Sequence, residues 1–100
     1  MRRAAKVDAN HQEIVHTLRS VGATVQSLAT VGNGCPDLLV GWNGKTILME
    51  VKDGAKAPSA RRLSEEQIKW HSDWNGGPLW VVDSSELALY VLKALTSSPS

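Results

Sequence analysis

The chain has 100 residues, of which 42% are hydrophobic and 21% charged, with a formal net charge of +1, the profile of one ordinary globular domain with room for a single core. Its 8 glycines and 4 prolines are near average usage and exclude a collagen-like or largely disordered chain. No apolar run approaches the roughly 20 residues of a membrane span, and the one cysteine, Cys35, excludes an internal disulfide framework and any multi-cysteine zinc site.

Residues 1–7 read as a basic arm, with Arg2, Arg3 and Lys6 followed by Asp8 rather than by an apolar stretch. A secretory leader is therefore not expected, and a cytoplasmic location is the default. Asp8 is placed to cap a first helix over 9–21, in which Ile14, Val15, Leu18 and Val21 recur at helical spacing before Gly22 offers a left-handed stop. Segment 23–31 alternates in a β-rich pattern until Gly32-Asn33-Gly34 breaks it, and reads as the first strand. Two apolar runs follow, 37–42 and 45–52, separated only by Asn43-Gly44, the strongest short-range hairpin signal because both residues tolerate positive φ.

A loop over 53–62 carries Lys56, Arg61 and Arg62 with no acid between Gly54 and Leu63. That charge suits phosphate contacts and equally describes an ordinary solvated loop. Ser64, followed three residues later by Gln67, makes a capping box that opens a second helix with Leu63, Gln67, Trp70 and Trp74 on one face. Asn75-Gly76-Gly77-Pro78 ends it, Leu79 to Val82 forms a strand, and Ser84 or Ser85 caps a last helix to about Leu95, leaving 96–100 as a frayed polar tail. The order is α-β-β-β-α-β-α in one α/β domain spanning 1–100.

With Asn43 and Gly44 as the loop, Trp42 pairs with Lys45 and Asp37 falls opposite Glu50. Directly opposed residues have Cβ atoms about 4.5–5.5 Å apart, where like charges repel, so a positive group is expected between them. Lys52 leaves the same strand face as Glu50, because the side-chain period is two. Leu39 against Leu48 and Leu38 against Met49 make the middle of the hairpin apolar on both faces, which implies a sheet covered on both sides. Three ionised groups at the end of a buried ribbon must pair or bind a cation, and hard oxygen ligands favour Mg²⁺ or Mn²⁺ over zinc. The competing reading is an exposed Glu50–Lys52 salt bridge after a Pro-Asp turn, of little energetic weight.

At these residues the chain resembles the PD-(D/E)XK nuclease superfamily: Pro36-Asp37, then Glu50-Val51-Lys52 thirteen residues after the aspartate, within the α-β-β-β-α-β order. Asn10 to Gly22, Gly32 to Gly41 and Leu63-Ser64-Glu65-Glu66-Gln67 with Trp70 extend the likeness to the small stand-alone VRR-NUC nucleases often carried by phages and prophages, over about residues 8 to 86. The resemblance implies a restriction-endonuclease-like core, a mixed central sheet flanked by helices on both faces. It also implies that Asp37 and Glu50 hold the metal with the main-chain carbonyl of Val51, that Lys52 positions or activates the attacking water, and that Gln67 is a helix-borne catalytic glutamine. Glu13 matches an additional acidic residue that some members place at the metal, although it projects near the polar side of its helix, where a solvated glutamate is the commoner outcome.

The other candidates carry less. His11 and His16 lack the spacing of a helical zinc pair, and His71 has no sequence-local ligand partner. Trp70 and Trp74, one turn apart, read as core or as a dimer interface more readily than as base-stacking residues. No phosphate-binding glycine motif is present, so no nucleotide cofactor is expected. The expected activity is a Mg²⁺- or Mn²⁺-dependent endonuclease on DNA, by resemblance leaving a 5′ phosphate and a 3′ hydroxyl. Branched or four-way junction DNA is the expected substrate and a homodimer the expected assembly. The alternatives are a restriction-like or nicking nuclease on ordinary duplex, and a non-catalytic nucleic-acid binder that keeps the fold.

Overall fold

Asn43 and Gly44 adopt φ of +52° and +75°, the left-handed conformations that a tight hairpin turn demands, and the turn sets the register of everything after it. In the computed structural model, which describes residues 8–96, Trp42 pairs with Lys45, Leu39 with Leu48 and Leu38 with Met49. The elements in chain order are α1 (His11–Ser20), β1 (Thr24–Ser27), β2 (Leu38–Trp42), β3 (Lys45–Val51), a 3₁₀ turn (Pro58–Arg61), α2 (Glu65–Asp73), β4 (Leu79–Val82) and α3 (Ser85–Thr96). This is the expected α-β-β-β-α-β-α order, with the 3₁₀ turn added inside the basic loop. The expected arm over 1–7 and residues 97–100 of the expected tail lie outside the described residues.

The sheet runs β1-β2-β3-β4, antiparallel through β3 and parallel between β3 and β4. A parallel pair cannot be joined by a short turn, so α2 serves as the crossover between β3 and β4. Ile47, Met49 and Val51 of β3, with Leu38, Val40 and Val82, face α1 and α3 and form the core with Ile14, Leu18, Ala88, Val91 and Leu92. Leu48 and Glu50 leave the opposite face, where Gln67 of α2 meets Glu50. Helices therefore lie on both faces, but the second cover is partial. Leu39 is 38% exposed while its partner Leu48 is 7% exposed, so the expectation of a sheet buried throughout on both sides holds only near α2.

Several boundaries move for physical reasons. The first strand ends at Ser27, because Leu28 donates its N–H to the Asp37 carbonyl and the chain then turns, with Val31 N–H on the Leu28 carbonyl. Asp8 does not cap α1 with its side chain; Asn10 is the N-cap, and it too gives no side-chain cap. Its Nδ2 donates instead to the main-chain carbonyls of Lys52 (3.1 Å) and Asp83 (3.0 Å), tying the start of α1 to the ends of β3 and β4. Trp74 is the C-cap of α2 rather than a helical residue, and it stacks on Trp70 with ring centroids 5.1 Å apart. Helix α3 runs through Thr96, one residue into the segment expected to fray.

Gly34 fixes where α2 sits. Its φ is +84°, and a Cβ there would collide with the main-chain carbonyl of Glu66. We expect Gly34→Ala to destabilise the fold by about 2 kcal/mol or more, because it combines left-handed strain with displacement of a helix backbone. Its denaturant midpoint, compared with that of Gly44→Ala, where a Cβ meets nothing within 4 Å, separates the collision from the strain.

Candidate functional site

Pro36-Asp37 enters β2 just where the hairpin ladder ends, and Asp37 turns its carboxylate across to β3. Its Oδ2 accepts the main-chain N–H of Val51 at 2.8 Å, a charge-assisted bond that holds the carboxylate against Glu50. Glu50 is 1% exposed, on the face that α2 covers. Lys52 follows on the same side, its Nζ 4.0 Å from Glu50 Oε2. The trio expected from the hairpin register is therefore assembled, at the mouth of the β2–β3 ribbon.

Gln67 connects it. Its Oε1 accepts from Lys52 Nζ and from the main-chain N–H of Ser64, each at 2.9 Å, and its Nε2 donates to Glu50 Oε2 at 3.0 Å. The Ser64 hydroxyl accepts the Gln67 N–H in return, completing the capping box. The structural role and the site role of Gln67 are thus compatible in one amide, because its oxygen has two lone pairs and its nitrogen faces the other way.

The pair of carboxylates is electrostatically overloaded. Glu50 is pushed up to about 9, first by burial and then by the adjacent Asp37 carboxyl, with Lys52 only partly offsetting these. Burial, followed by Glu50 and Asp37, also raises the Cys35 thiol. Glu50 Oε1 is buried and accepts no hydrogen bond. Such an orphaned oxygen beside a second carboxylate is the condition a cation relieves, and Asp37, Glu50 and the Val51 carbonyl are oxygen donors of the kind that suit Mg²⁺ or Mn²⁺. Among the described residues no group of three or more His, Cys, Asp or Glu side chains is arranged to enclose a metal. That donor set suits an ion that keeps much of its own water, as Mg²⁺ does.

Other expected residues lie elsewhere. Glu13 is exposed and lines a shallow cleft with Asn10, Asp53, Asp83 and Glu86, a cleft to which Asp37, Glu50, Lys52 and Gln67 do not contribute. In the basic loop, Arg61 pairs with Asp83 at 3.2 Å and Lys56 with Asp8 at 3.8 Å, which leaves Arg62 exposed and without an ion pair among the described residues. Trp42 donates its Nε1–H to the Val21 carbonyl at 3.3 Å and packs against the core.

His71 was not expected at the site. It stands one turn after Gln67 on α2, with Nε2 4.0 Å from Glu50 Oε1 and its side chain 14% exposed. Burial first, and Lys52 second, lower its pKa. The signal was its i+4 spacing from Gln67, which places both on one helix face.

No protein-family model matches the chain, and no curated protein matches it. A solved structure described as a VRR_NUC domain is similar to it, with a TM-score of 0.61 and 25% sequence identity over 83% of this chain and 89% of the other. The mixed sheet with helices on both faces is consistent with the restriction-endonuclease-like core of a VRR-NUC fold. Among the described residues no helix is long and apolar enough to cross a membrane.

Proposed function

We propose that this protein is a nuclease, and more specifically a divalent-metal-dependent endonuclease that hydrolyses DNA phosphodiester bonds. The observation that carries the reading is the half-buried Asp37 beside the buried Glu50, which is joined through Gln67 to Lys52, on a fold similar to a VRR_NUC domain. Asp37 and Glu50 would hold Mg²⁺ or Mn²⁺ together with the Val51 carbonyl. Bound there, the ion supplies Lewis acidity and lowers the pKa of water.

The chain's own groups do the rest. Lys52 places a positive charge beside the carboxylates, where it offsets the negative charge that grows on the phosphoryl oxygens during attack and orients the attacking water. Gln67 holds the Lys52 ammonium and the Glu50 carboxylate in one frame, so that neither must be ordered when DNA arrives. The likeness to a VRR_NUC domain supports DNA as the substrate, and the small surface of this domain favours recognition of backbone shape over base sequence. We therefore assign branched DNA, four-way junctions included, as the preferred substrate, cut by a homodimer whose twofold axis relates two such sites.

The experiment is cleavage of labelled four-way junction, flap, single-stranded and linear duplex DNA with Mg²⁺, Mn²⁺ or EDTA, alongside the light-scattering mass. Metal-dependent cutting of the junction by a dimer is the expected result. Equal cutting of linear duplex would replace junction selectivity with a restriction-like or nicking activity. Binding by the folded protein without cutting in either metal would make it a non-catalytic binder. The unpaired Arg62 is expected to contact phosphate, so Arg62→Ala should reduce the salt slope of DNA binding by about one. Arg61→Ala should change it less, because Arg61 is already paired to Asp83. Equal slopes for the two variants would remove Arg62 from the DNA surface.

A further inference from the structure

Two buried polar atoms without hydrogen-bond partners face each other at the edge of the site: His71 Nε2 and Glu50 Oε1, 4.0 Å apart. Leaving a buried donor or acceptor unsatisfied costs about 1–3 kcal/mol each. Here each is the natural remedy of the other, since an imidazole N–H donates and a carboxylate oxygen accepts. The other Glu50 oxygen is already held by Gln67, from the same face of the same helix.

We propose that His71 is a positioning residue for Glu50: α2 grips the carboxylate with a two-residue clamp, Gln67 on Oε2 and the His71 Nε2–H on Oε1. The clamp sets the plane of a carboxylate that holds the metal, and so rests on the reading of Asp37 and Glu50 given above. Closing it takes a side-chain adjustment of about 1 Å to reach hydrogen-bond distance. The platform is rigid where it matters, because the capping box and the Gly34 approach both fix the start of α2. Groups that orient ligating carboxylates typically carry 10- to 100-fold of metal affinity. Lys52 and Gln67 both address Oε2, and the Asp37 carboxyl can share a proton with Glu50 but cannot donate to it once both are ionised around a cation.

The test is Mn²⁺ binding to the DNA-free protein, followed by electron paramagnetic resonance of the free ion, for wild type, His71→Ala, His71→Gln and Asp37→Asn. The expected result is a loss of about 10-fold or more in His71→Ala and recovery to within about threefold of wild type in His71→Gln, whose amide supplies a donor at similar reach. Wild-type affinity in His71→Ala would overturn the clamp, as would a His71→Gln variant as weak as His71→Ala, because a donor would then not be what matters. In ¹⁵N-histidine wild-type protein, Mg²⁺ is expected to slow solvent exchange of the His71 Nε2–H; an unchanged exchange rate overturns the clamp without any variant having to fold. Wild-type Mn²⁺ affinity in Asp37→Asn would defeat the metal reading itself, an outcome distinct from failure of the clamp alone.

Discussion

Lys52→Ala is expected to lower the single-turnover rate of DNA cleavage by about 10²–10³-fold while the protein still folds, and Asp37→Asn to lower it at least as far. The two act on different parts of the chemistry. Among the described residues Lys52 is the one cation touching the cluster, bonded to Gln67 and 4.0 Å from Glu50, and alanine removes positive charge where negative charge would grow. Its loss leaves Gln67 bonded to the Ser64 N–H and to Glu50, so the frame survives and the defect should lie in the rate rather than in folding. Asparagine at 37 keeps an oxygen for the Val51 N–H but removes the charge that would draw in a cation. Lys52→Ala should therefore still bind Mn²⁺, and Asp37→Asn should not. Full cleavage by either purified variant would overturn the assignment.

Glu50→Gln should stabilise the metal-free protein at alkaline pH while abolishing cleavage. The ordinary carboxyl value of 4.5 is raised to about 9 in the folded chain, so between these values the folded state holds a proton that the unfolded state has released. Linkage then makes this group's contribution to stability fall as pH rises through that window. Glutamine is neutral throughout and nearly the same shape; its amide accepts from Gln67 and donates toward Asp37, as a protonated Glu50 does. In EDTA the variant should therefore exceed wild type in Tm at pH 8 by about 4–8 °C for each kcal/mol recovered, and should match it more closely near pH 5. Mg²⁺ should raise the wild-type Tm and leave that of the variant unchanged. A variant no more stable than wild type at pH 8 would show that the buried carboxylate is not under strain.

The hairpin was the most legible part of the chain. Asn43-Gly44 determined its turn, the turn determined its register, and the register brought Asp37 to Glu50 across 13 positions of sequence using only local rules. The capping box of α2 was equally local and equally readable. What escaped were side chains that reach across the fold. Asn10 bonds to carbonyls 42 and 73 residues away and Arg61 to Asp83, while the i+4 spacing of His71 from Gln67 gives its helix face but not the Glu50 it meets. No periodicity encodes such contacts, because they depend on where the crossover sets α2 down. Glu13 shows the converse: a helix position that a motif can suggest, but whose direction only the packing of α1 decides.

The doubled duty of Gln67 ties local melting to the proposed catalysis. One of the two bonds that stop the first turn of α2 from fraying, Ser64 N–H to Gln67 Oε1, is made by the same amide that holds Lys52 and Glu50, so an excursion that breaks it loosens the cluster in the same motion. On the proposed nuclease reading, Ser64, whose main-chain N–H meets that amide, would become a site where a helix cap sets the fraction of molecules competent to cut. Sequence drift in this loop would register first as lost turnover, well before any loss of the folded protein.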